Sequence, residues 1–159
     1  MLLEVLAGRN YTVKDSFALL DTNILVYATD AESPFHRRAK EIRDCAERGE
    51  MKVCLALQVL TEFYSTVTNL KNRVPLSPKE AKEEVERYLE SRNFLKICIR
   101  TTTIEKMVEL AENHKIKGQN IYDVQLVATM LDNGVKEIYT ANDKDFKEFE
   151  EIEVVNPFK

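Results

Sequence analysis

The residues of this chain whose types and positions could do chemistry together are four acids: Asp21, Glu62, Asp123 and Asp143. Asp21 and Asp143 each follow a short apolar run that is typical of a buried strand. The other two acids border or head the apolar faces of helical segments. Ligands of open α/β sheets bind outside the carboxyl ends of the strands. Carboxylates gathered there, without His or Cys beside them, favour a hard cation such as Mg²⁺ or Mn²⁺.

Asp123 is the most informative of the four acids. Val127 and Met130 follow it at i+4 and i+7, so its side chain lies on the apolar column of a helix. An acid in the first turn favours the helix dipole and can complete a cap with Asn120, which explains why Asp123 lies near the start of the helix. It does not explain why the side chain faces the apolar side. A buried carboxylate needs a cation or several hydrogen bonds.

Asp21 and Glu62 also have structural explanations. Asp21 or Asn23 could cap the turn that follows the first strand. Glu62 borders an apolar stripe, where a salt-bridged or solvent-reaching glutamate is common. The position of Asp21 at the carboxyl end of a central strand shifts the balance towards function.

The fourth position is open between neighbouring residues. Asn142, Asp143 and Asp145 belong to a polar loop after a strand, and each could point into the same cleft. A turn rich in Asn and Asp is the structural alternative for this segment. Three or four clustered carboxylates without a cation would repel one another and raise some of their pKa values.

Length and charge limit the classes of function. With 159 residues, 44% of them hydrophobic, the chain predicts one domain with a real core. Its net charge of −4 argues against holding nucleic acid by bulk positive charge. A nuclease whose metal ions neutralise the phosphate locally is still compatible with this charge.

Cysteine spacing and hydropathy predict a cytoplasmic protein that is not bound to a membrane. Cys45, Cys54 and Cys98 form no CxxC pair and are expected to be reduced, packed thiols. No apolar run approaches the roughly 18–20 residues of a membrane span, and the start lacks a signal-peptide pattern. His36 and His114 are both expected on the surface.

The order of elements predicts an α/β fold. The predicted strands are 17–20, 52–55, 94–99, 137–140 and 152–155. The predicted helices are 34–48, 57–70, 78–91, 103–114 and 121–131, with a helical turn at 24–28. Short strands alternating with helices predict a mainly parallel sheet. For residues 1–14, a short helix and an extra edge segment are both open.

Four segments of the chain, taken in order, resemble the motifs of PIN domains, especially the VapC-type ribonuclease toxins. They are residues 21–27, which begin Asp-Thr-Asn, residues 59–63 around Glu62, residues 122–129 around Asp123, and residues 138–146. The resemblance implies a single three-layer α/β/α domain over 1–159, with 1–14 as an N-terminal extension. It also implies cleavage of RNA that depends on Mg²⁺ or Mn²⁺.

The resemblance also assigns roles to individual residues. Asp21 and Asp123 would bind the principal metal, and Glu62 and Asp143 would position water or a second ion. Asp143 is our choice of acid at the fourth position. The supporting residues are Thr22, Asn23, Asn142 and Asp145. The partners implied are an RNA substrate, a small antitoxin protein and a second copy of the chain in a homodimer.

Other functions fit the sequence less well. A phosphohydrolase with an aspartyl nucleophile needs a second Asp that Asp21-Thr22-Asn23 does not provide. A phospho-acceptor module leaves Glu62 without a role. A PIN nuclease that processes RNA without an antitoxin, and a PIN fold that binds RNA or protein without cleaving, stay open as alternatives. For RNA contact the candidates are Lys71, Arg73, Lys115, Lys117 and Lys144.

Overall fold

A five-stranded parallel sheet forms the centre of the molecule in the computed structural model, which describes residues 16–159. The strands are β1 (Ala18–Leu20), β2 (Val53–Ala56), β3 (Phe94–Ile97), β4 (Glu137–Tyr139) and β5 (Glu153–Val155). Their order across the sheet is β3-β2-β1-β4-β5, and every neighbouring pair is parallel. The prediction of a parallel α/β fold is confirmed.

Helices flank this sheet and complete an α/β/α arrangement. They are α1 (Thr22–Thr29), α2 (His36–Glu47), α3 (Leu57–Val67), α4 (Pro78–Glu90), α5 (Thr101–Asn113), α6 (Ile121–Asp132) and α7 (Asp143–Phe146), with a 3₁₀ turn at Gly118–Asn120. The first helix packs on α2 and α3, and α5 packs on α6. No helix among residues 16–159 is long and apolar enough to cross a membrane.

Strand β1 lies in the middle of the sheet because its side chains are apolar in both directions. Leu19 and Leu20 are fully buried, as expected for a parallel strand covered on both faces. β1 pairs with β2 on one side and β4 on the other. Its last contact is the backbone N–H of Asp21, which donates to the Tyr139 carbonyl at 3.0 Å. Asp21 therefore lies directly after the last residue of β1, at the carboxyl edge of the sheet.

Helix α3 buries the face that its sequence predicts. Val59, Phe63 and Val67 are all buried, one turn apart. The Phe63 ring meets Tyr88 of α4 edge to face, with 5.8 Å between centroids, and Tyr88 meets Phe94 of β3 in the same way at 5.4 Å. This packing fixes the rotation of α3, so that Glu62, at the border of the buried face, is exposed.

The start of α4 confirms the predicted capping box. Ser77 Oγ accepts from the Glu80 backbone N–H at 3.3 Å, and Glu80 Oε2 accepts from the Ser77 backbone N–H at 2.8 Å. Pro78 occupies the first turn, where its missing N–H costs nothing.

Several boundaries differ from those predicted. The turn expected at 24–28 is a full eight-residue helix, α1. Pro34 precedes α2, which begins at His36, and α3 ends at Val67 and not at residue 70. Strand β3 ends at Ile97 because the chain leaves the sheet before α5. The prediction for residues 1–14 lies outside the described residues.

Three predictions about individual side chains are also corrected. Asn120 precedes α6 but makes no side-chain capping hydrogen bond, because it already has helical backbone angles. Cys98 is exposed, whereas Cys45 and Cys54 are buried as expected. His114 is partly buried and contacts the Phe149 ring, whose centroid lies 5.0 Å away, and its Nε2 lies 3.3 Å from Glu151 Oε1.

Candidate active site

A cleft of about 300 Å³ opens at the carboxyl edge of the sheet, beside the end of β1. Four of its lining residues are acidic: Asp21, Glu62, Asp123 and Asp145. Its polar lining also includes Thr22, Asn23, Gln58 and Asn142. Three of the four predicted acids and all four predicted supporting residues therefore meet in one place. The exception is Asp143, which lies elsewhere, and Asp145, predicted as a supporting residue, takes its place among the acids.

Asp21 is the buried floor of this cleft, with 7% of its surface exposed. One carboxylate oxygen accepts from the Thr22 backbone N–H at 2.7 Å. The other accepts from Asn23 Nδ2 at 2.7 Å and from Thr140 Oγ1 at 2.6 Å. Burial raises the pKa of Asp21, and the hydrogen bonds from Thr140 and Thr22 oppose that rise. Asp21 thus both caps α1 and presents a carboxylate to the cleft.

Glu62 reaches the cleft from the exposed side of α3. Its Oε2 accepts from Thr22 Oγ1 at 2.9 Å, and its Oε1 accepts from Gln58 Nε2 at 3.0 Å. Among residues 16–159, none of the ion pairs includes Glu62, so the salt-bridge explanation of this residue is not supported. Both carboxylate oxygens are instead held by neutral donors.

Asp123 projects from the first turn of α6 and is partly buried. Burial, followed by the negative charges of Asp145, Asp21 and Glu62, raises the pKa of Asp123 to about 6. Burial is the largest cause of this rise, and the negative charges of the neighbouring carboxylates add to it. The expected mutual repulsion of the acids is therefore present at Asp123.

Asp143, our choice for the fourth acid, does not join the other three. Its Oδ1 accepts from Lys159 Nζ at 2.8 Å and from Asn156 Nδ2 at 3.0 Å, and its Oδ2 lies 2.6 Å from Lys147 Nζ. These hydrogen bonds hold the pKa of the Asp143 carboxyl well below its usual range. The acid anchors the last residues of the chain to α7 and does not line the cleft.

The correction follows from a helix that was predicted as a loop. Asp143 and Asp145 both belong to the short helix α7. Residues two apart on a helix are rotated by roughly 200° and do not face the same way. Only one of the two can face the cleft, and the structure places Asp145 there.

Thr140 is a contributor that the sequence analysis missed. Its hydroxyl donates to Asp21 Oδ2 and accepts from the Asn142 backbone N–H at 3.0 Å. Asn23 completes the connection, since its Oδ1 accepts from the Ala141 backbone N–H at 2.9 Å. The ends of β1 and β4 are therefore tied together around Asp21. A threonine directly after a strand, beside a predicted site residue, was the available indication.

The donor set of the cleft consists of oxygen atoms from carboxylates, amides and a hydroxyl. Across the described range 16–159, no three His, Cys, Asp or Glu side chains are arranged as they stand to hold one ion. The carboxylates thus share a cleft and do not form a finished cage. An ion that keeps several of its own waters suits such a site better than one that needs a complete set of protein ligands.

A parallel α/β/α fold with carboxylates at the carboxyl edge of its sheet defines a protein of the PIN type. The chain belongs to the PIN domain family, since the model described as "PIN domain" matches residues 18–152. The resemblance found in the four motifs is thereby confirmed.

Known proteins of similar sequence carry the name VapC. Ribonuclease VapC48 of Mycobacterium tuberculosis is 30% identical over 139 residues, which cover 87% of this chain and 95% of that protein. Ribonuclease VapC24 of the same organism is 30% identical over 133 residues, or 82% of this chain and 89% of that one.

Solved structures share the fold at lower identity. A toxin–antitoxin complex from Klebsiella pneumoniae contains a chain with a TM-score of 0.60 and 23% identity, covering 89% of this chain and 98% of that one. VapBC2 from Rickettsia felis, bound to a DNA fragment from its promoter, gives a TM-score of 0.61 and 19% identity, with coverages of 88% and 98%. These two likenesses establish the fold.

The raised pKa of Asp123 predicts how the stability of the metal-free protein depends on pH. A carboxyl with a pKa of about 6 when folded, against an ordinary 3.8, binds its proton more tightly in the folded state. Its stabilising contribution is complete below the ordinary value and is lost as pH rises through about 6. In chelator, Asp123→Asn should therefore flatten the fall in Tm between about pH 4 and 7 and raise Tm at neutral pH.

Asp143→Asn provides the control of opposite sign for this experiment. The pKa of Asp143 is lowered, so its contribution is present at neutral pH and fades as pH falls below the ordinary range. That variant should lose Tm at pH 7. An Asp123→Asn protein whose Tm follows the wild-type pH curve would contradict the raised pKa of Asp123.

Proposed function

We propose that this protein is a metal-dependent endoribonuclease that hydrolyses RNA phosphodiester bonds and serves as the toxin of a toxin–antitoxin pair. The observation that carries the proposal is the cleft in which Asp21, Glu62, Asp123 and Asp145 converge at the carboxyl edge of the sheet. Relatives that are 30% identical over most of the chain, and are named ribonucleases, support the activity.

Magnesium or manganese is the cofactor that fits this cleft. Asp21 and Asp123 would hold the ion, since Asp21 is buried and fixed by three hydrogen bonds and Asp123 lies among the other carboxylates of the cleft. Both ions prefer oxygen donors, and magnesium is usually held by one or two carboxylates while keeping several waters. When bound, such an ion neutralises phosphoryl oxygens and makes water a stronger nucleophile.

Other side chains of the cleft would orient water, hold the carboxylates in place and contact the phosphate. Glu62 and Asp145 are exposed, so their carboxylates can accept hydrogen bonds from an attacking water and orient it. Thr22 and Asn23 hold Glu62 and Asp21 in place through the hydrogen bonds described above. Asn142, which lines the cleft beside Asp145, has an amide that can donate to a phosphate oxygen.

The residues proposed to contact RNA differ in their availability. Lys144 is exposed between Asp143 and Asp145 and lies at the rim of the cleft by sequence position. Arg73 Nη1 lies 3.0 Å from Glu32 Oε2, so part of its charge is already engaged. Lys144 is therefore our preferred RNA contact of these two.

Cleavage assays on two single variants test the activity itself. Asp21→Asn and Asp123→Asn should each reduce cleavage of a mixed RNA pool in Mn²⁺ by at least about 100-fold, because each removes a proposed ligand while keeping the side chain's shape. Wild-type protein should cleave with Mn²⁺ and not with chelator. Full activity in pure Asp21→Asn protein, or equal cleavage in chelator, would contradict the proposal.

Asp145→Asn and Asp143→Asn form a matched pair for the same assay. Both are aspartate-to-asparagine changes on α7, two residues apart, but only Asp145 lines the cleft. Asp145→Asn should lower kcat and keep Tm, whereas Asp143→Asn should lower Tm and keep most of kcat at temperatures where it is folded. The reverse pattern would restore Asp143 as the fourth acid.

We further propose a small antitoxin protein that inserts an Arg or Lys into the acidic cleft. The structural neighbours from Klebsiella pneumoniae and Rickettsia felis are themselves a toxin–antitoxin complex and a VapBC assembly. The cleft supports such a contact because its carboxylates repel one another, and Arg can engage two carboxylate oxygens at once. The expected homodimer stays a prediction.

Inhibition in a purified complex tests this partner. Co-expression with the product of the adjacent gene should yield a complex whose RNA cleavage is lost, because cation and substrate compete for one cleft. Adding excess RNA substrate should relieve inhibition partly. Full cleavage in a saturated complex would rule out this mode of restraint, and a chain that finds no partner would favour a free-standing RNA-processing enzyme.

A further inference from the structure

Gln58 occupies a position between the two helices that carry Glu62 and Asp123. It lies one turn before Glu62 on α3, and its Nε2 donates to Glu62 Oε1 at 3.0 Å. The same Nε2 is 3.3 Å from the backbone carbonyl of Tyr122, the residue that precedes Asp123 on α6. One amide group therefore contacts a carboxylate of the cleft and the backbone beside another.

A second glutamine supports the first. Gln125 Nε2 donates to Gln58 Oε1 at 2.9 Å, again from α6 to α3. Gln58 and Gln125 are both partly buried, so water competes less for the bond between them than at the open surface. The three side chains Gln125, Gln58 and Glu62 form a continuous chain of hydrogen bonds, which we call the amide relay.

The chemistry of its last member gives the amide relay one direction. A carboxylate has acceptors only, so Gln58 must turn its NH₂ group towards Glu62. The Gln58 carbonyl oxygen then faces Gln125 and can only accept, so Gln125 must present its NH₂ group as well. The orientation of both amides follows from Glu62, and neither can flip without breaking the chain.

We propose that Gln58 and Gln125 are positioning residues that fix the Glu62 carboxylate and hold it at a set distance from Asp123. Thr22 holds one oxygen of Glu62 and Gln58 holds the other, so the carboxylate cannot rotate freely. Because Gln58 also bonds the Tyr122 carbonyl, a shift of α6 against α3 would break the same amide's contacts. This inference rests on the proposed function for its effect on catalysis, but its geometry can be tested without it.

Binding of Mn²⁺ and cleavage of RNA by Gln58→Met test the effect on the site. Methionine keeps the length of the side chain and removes both hydrogen-bonding groups. Loss of a group that orients a ligand typically costs about 10- to 100-fold in metal affinity or activity, and partial exposure places Gln58 at the lower end. We expect calorimetry to show Mn²⁺ binding about 10-fold weaker and kcat about 10-fold lower, with KM for RNA little changed.

Two further variants separate the amide relay from a general loss of packing. Gln125→Met should have a smaller effect, and adding it to Gln58→Met should cost nothing more, because Gln125 acts through Gln58. Gln119→Met makes the same chemical change at an exposed residue of the nearby 3₁₀ turn and should leave metal binding and kcat unchanged. Additive losses in the double variant would overturn the proposed order of the chain.

Side-chain amide spectra test the geometry independently of any activity. In ¹⁵N–¹H correlation spectra, Glu62→Ala should move the NH₂ resonances of both Gln58 and Gln125, and leave those of Gln119 in place. Gln125 resonances that do not move would overturn the amide relay, whatever the protein's activity.

The outcomes distinguish this inference from the proposed function. Wild-type Mn²⁺ affinity and kcat in Gln58→Met, with Asp123→Asn inactive, would overturn the positioning role and leave the nuclease intact. A wild-type protein that neither binds Mn²⁺ nor cleaves RNA would defeat the proposed function, and the amide spectra would still decide whether the relay exists.

Discussion

The carboxylate of Asp21 is buried at the end of β1, and the structure around the cleft depends on keeping a charge in that place. An isolated buried carboxylate is costly, and hydrogen bonds to the charged form reduce that cost. Here the donors come from Thr22, Asn23 and Thr140, which belong to α1 and to the loop after β4. One buried charge thus connects the first and fourth motifs of the family. Electrostatic repulsion remains in the cleft, because Glu62, Asp123 and Asp145 add charge of the same sign.

The strands and helices around the cleft are therefore held in place, whereas the negative charges within the cleft are not balanced. β1 and β4 are held in register by the Asp21 N–H bond to Tyr139, and α3 is fixed by the edge-to-face contacts of Tyr88 with Phe63 and Phe94. Glu62 and Asp145, in contrast, are exposed, and Glu62 is held by the neutral donors Thr22 and Gln58. The frame fixes where the charges are, and repulsion among them favours a cation or a basic partner in the cleft. A catalytic cation and a basic side chain of an inhibiting partner would then compete for the same acidic cleft.

Much of this could be predicted from the sequence, for a reason that is local in each case. The strands could be placed because short buried parallel strands consist of continuous apolar runs, as at residues 17–20. Asp123 stood out because a charge occupied the apolar column that includes Val127. The start of α4 could be predicted because a capping box links residues only three positions apart, here Ser77 and Glu80, with Pro78 between them. Each of these patterns is contained in one turn or one strand.

The misses concern features that sequence neighbours do not determine. The segment containing Asp143 and Asp145 is too short to show helical periodicity, so α7 was predicted as a loop, and Asp143 was chosen although Asp145 is the residue that lines the cleft. The partners of Asp143 are Lys147, Asn156 and Lys159, of which two come from beyond β5. Gln58 and Gln125 carry no charge and lie 67 positions apart, and only the tertiary fold brings them within hydrogen-bond distance.

Diffraction from crystals soaked in Mn²⁺, collected to locate anomalous scattering, tests the central claim most directly. The account predicts an anomalous peak in the cleft, with carboxylate oxygens of Asp21 and Asp123 at about 2.0–2.3 Å as ligands. Glu62 and Asp145 should face the ion's waters, and Asp143 should stay paired with Lys147 and Lys159. A manganese ion bound by Asp143 and not by Asp21, or an empty cleft at saturating Mn²⁺, would contradict the account.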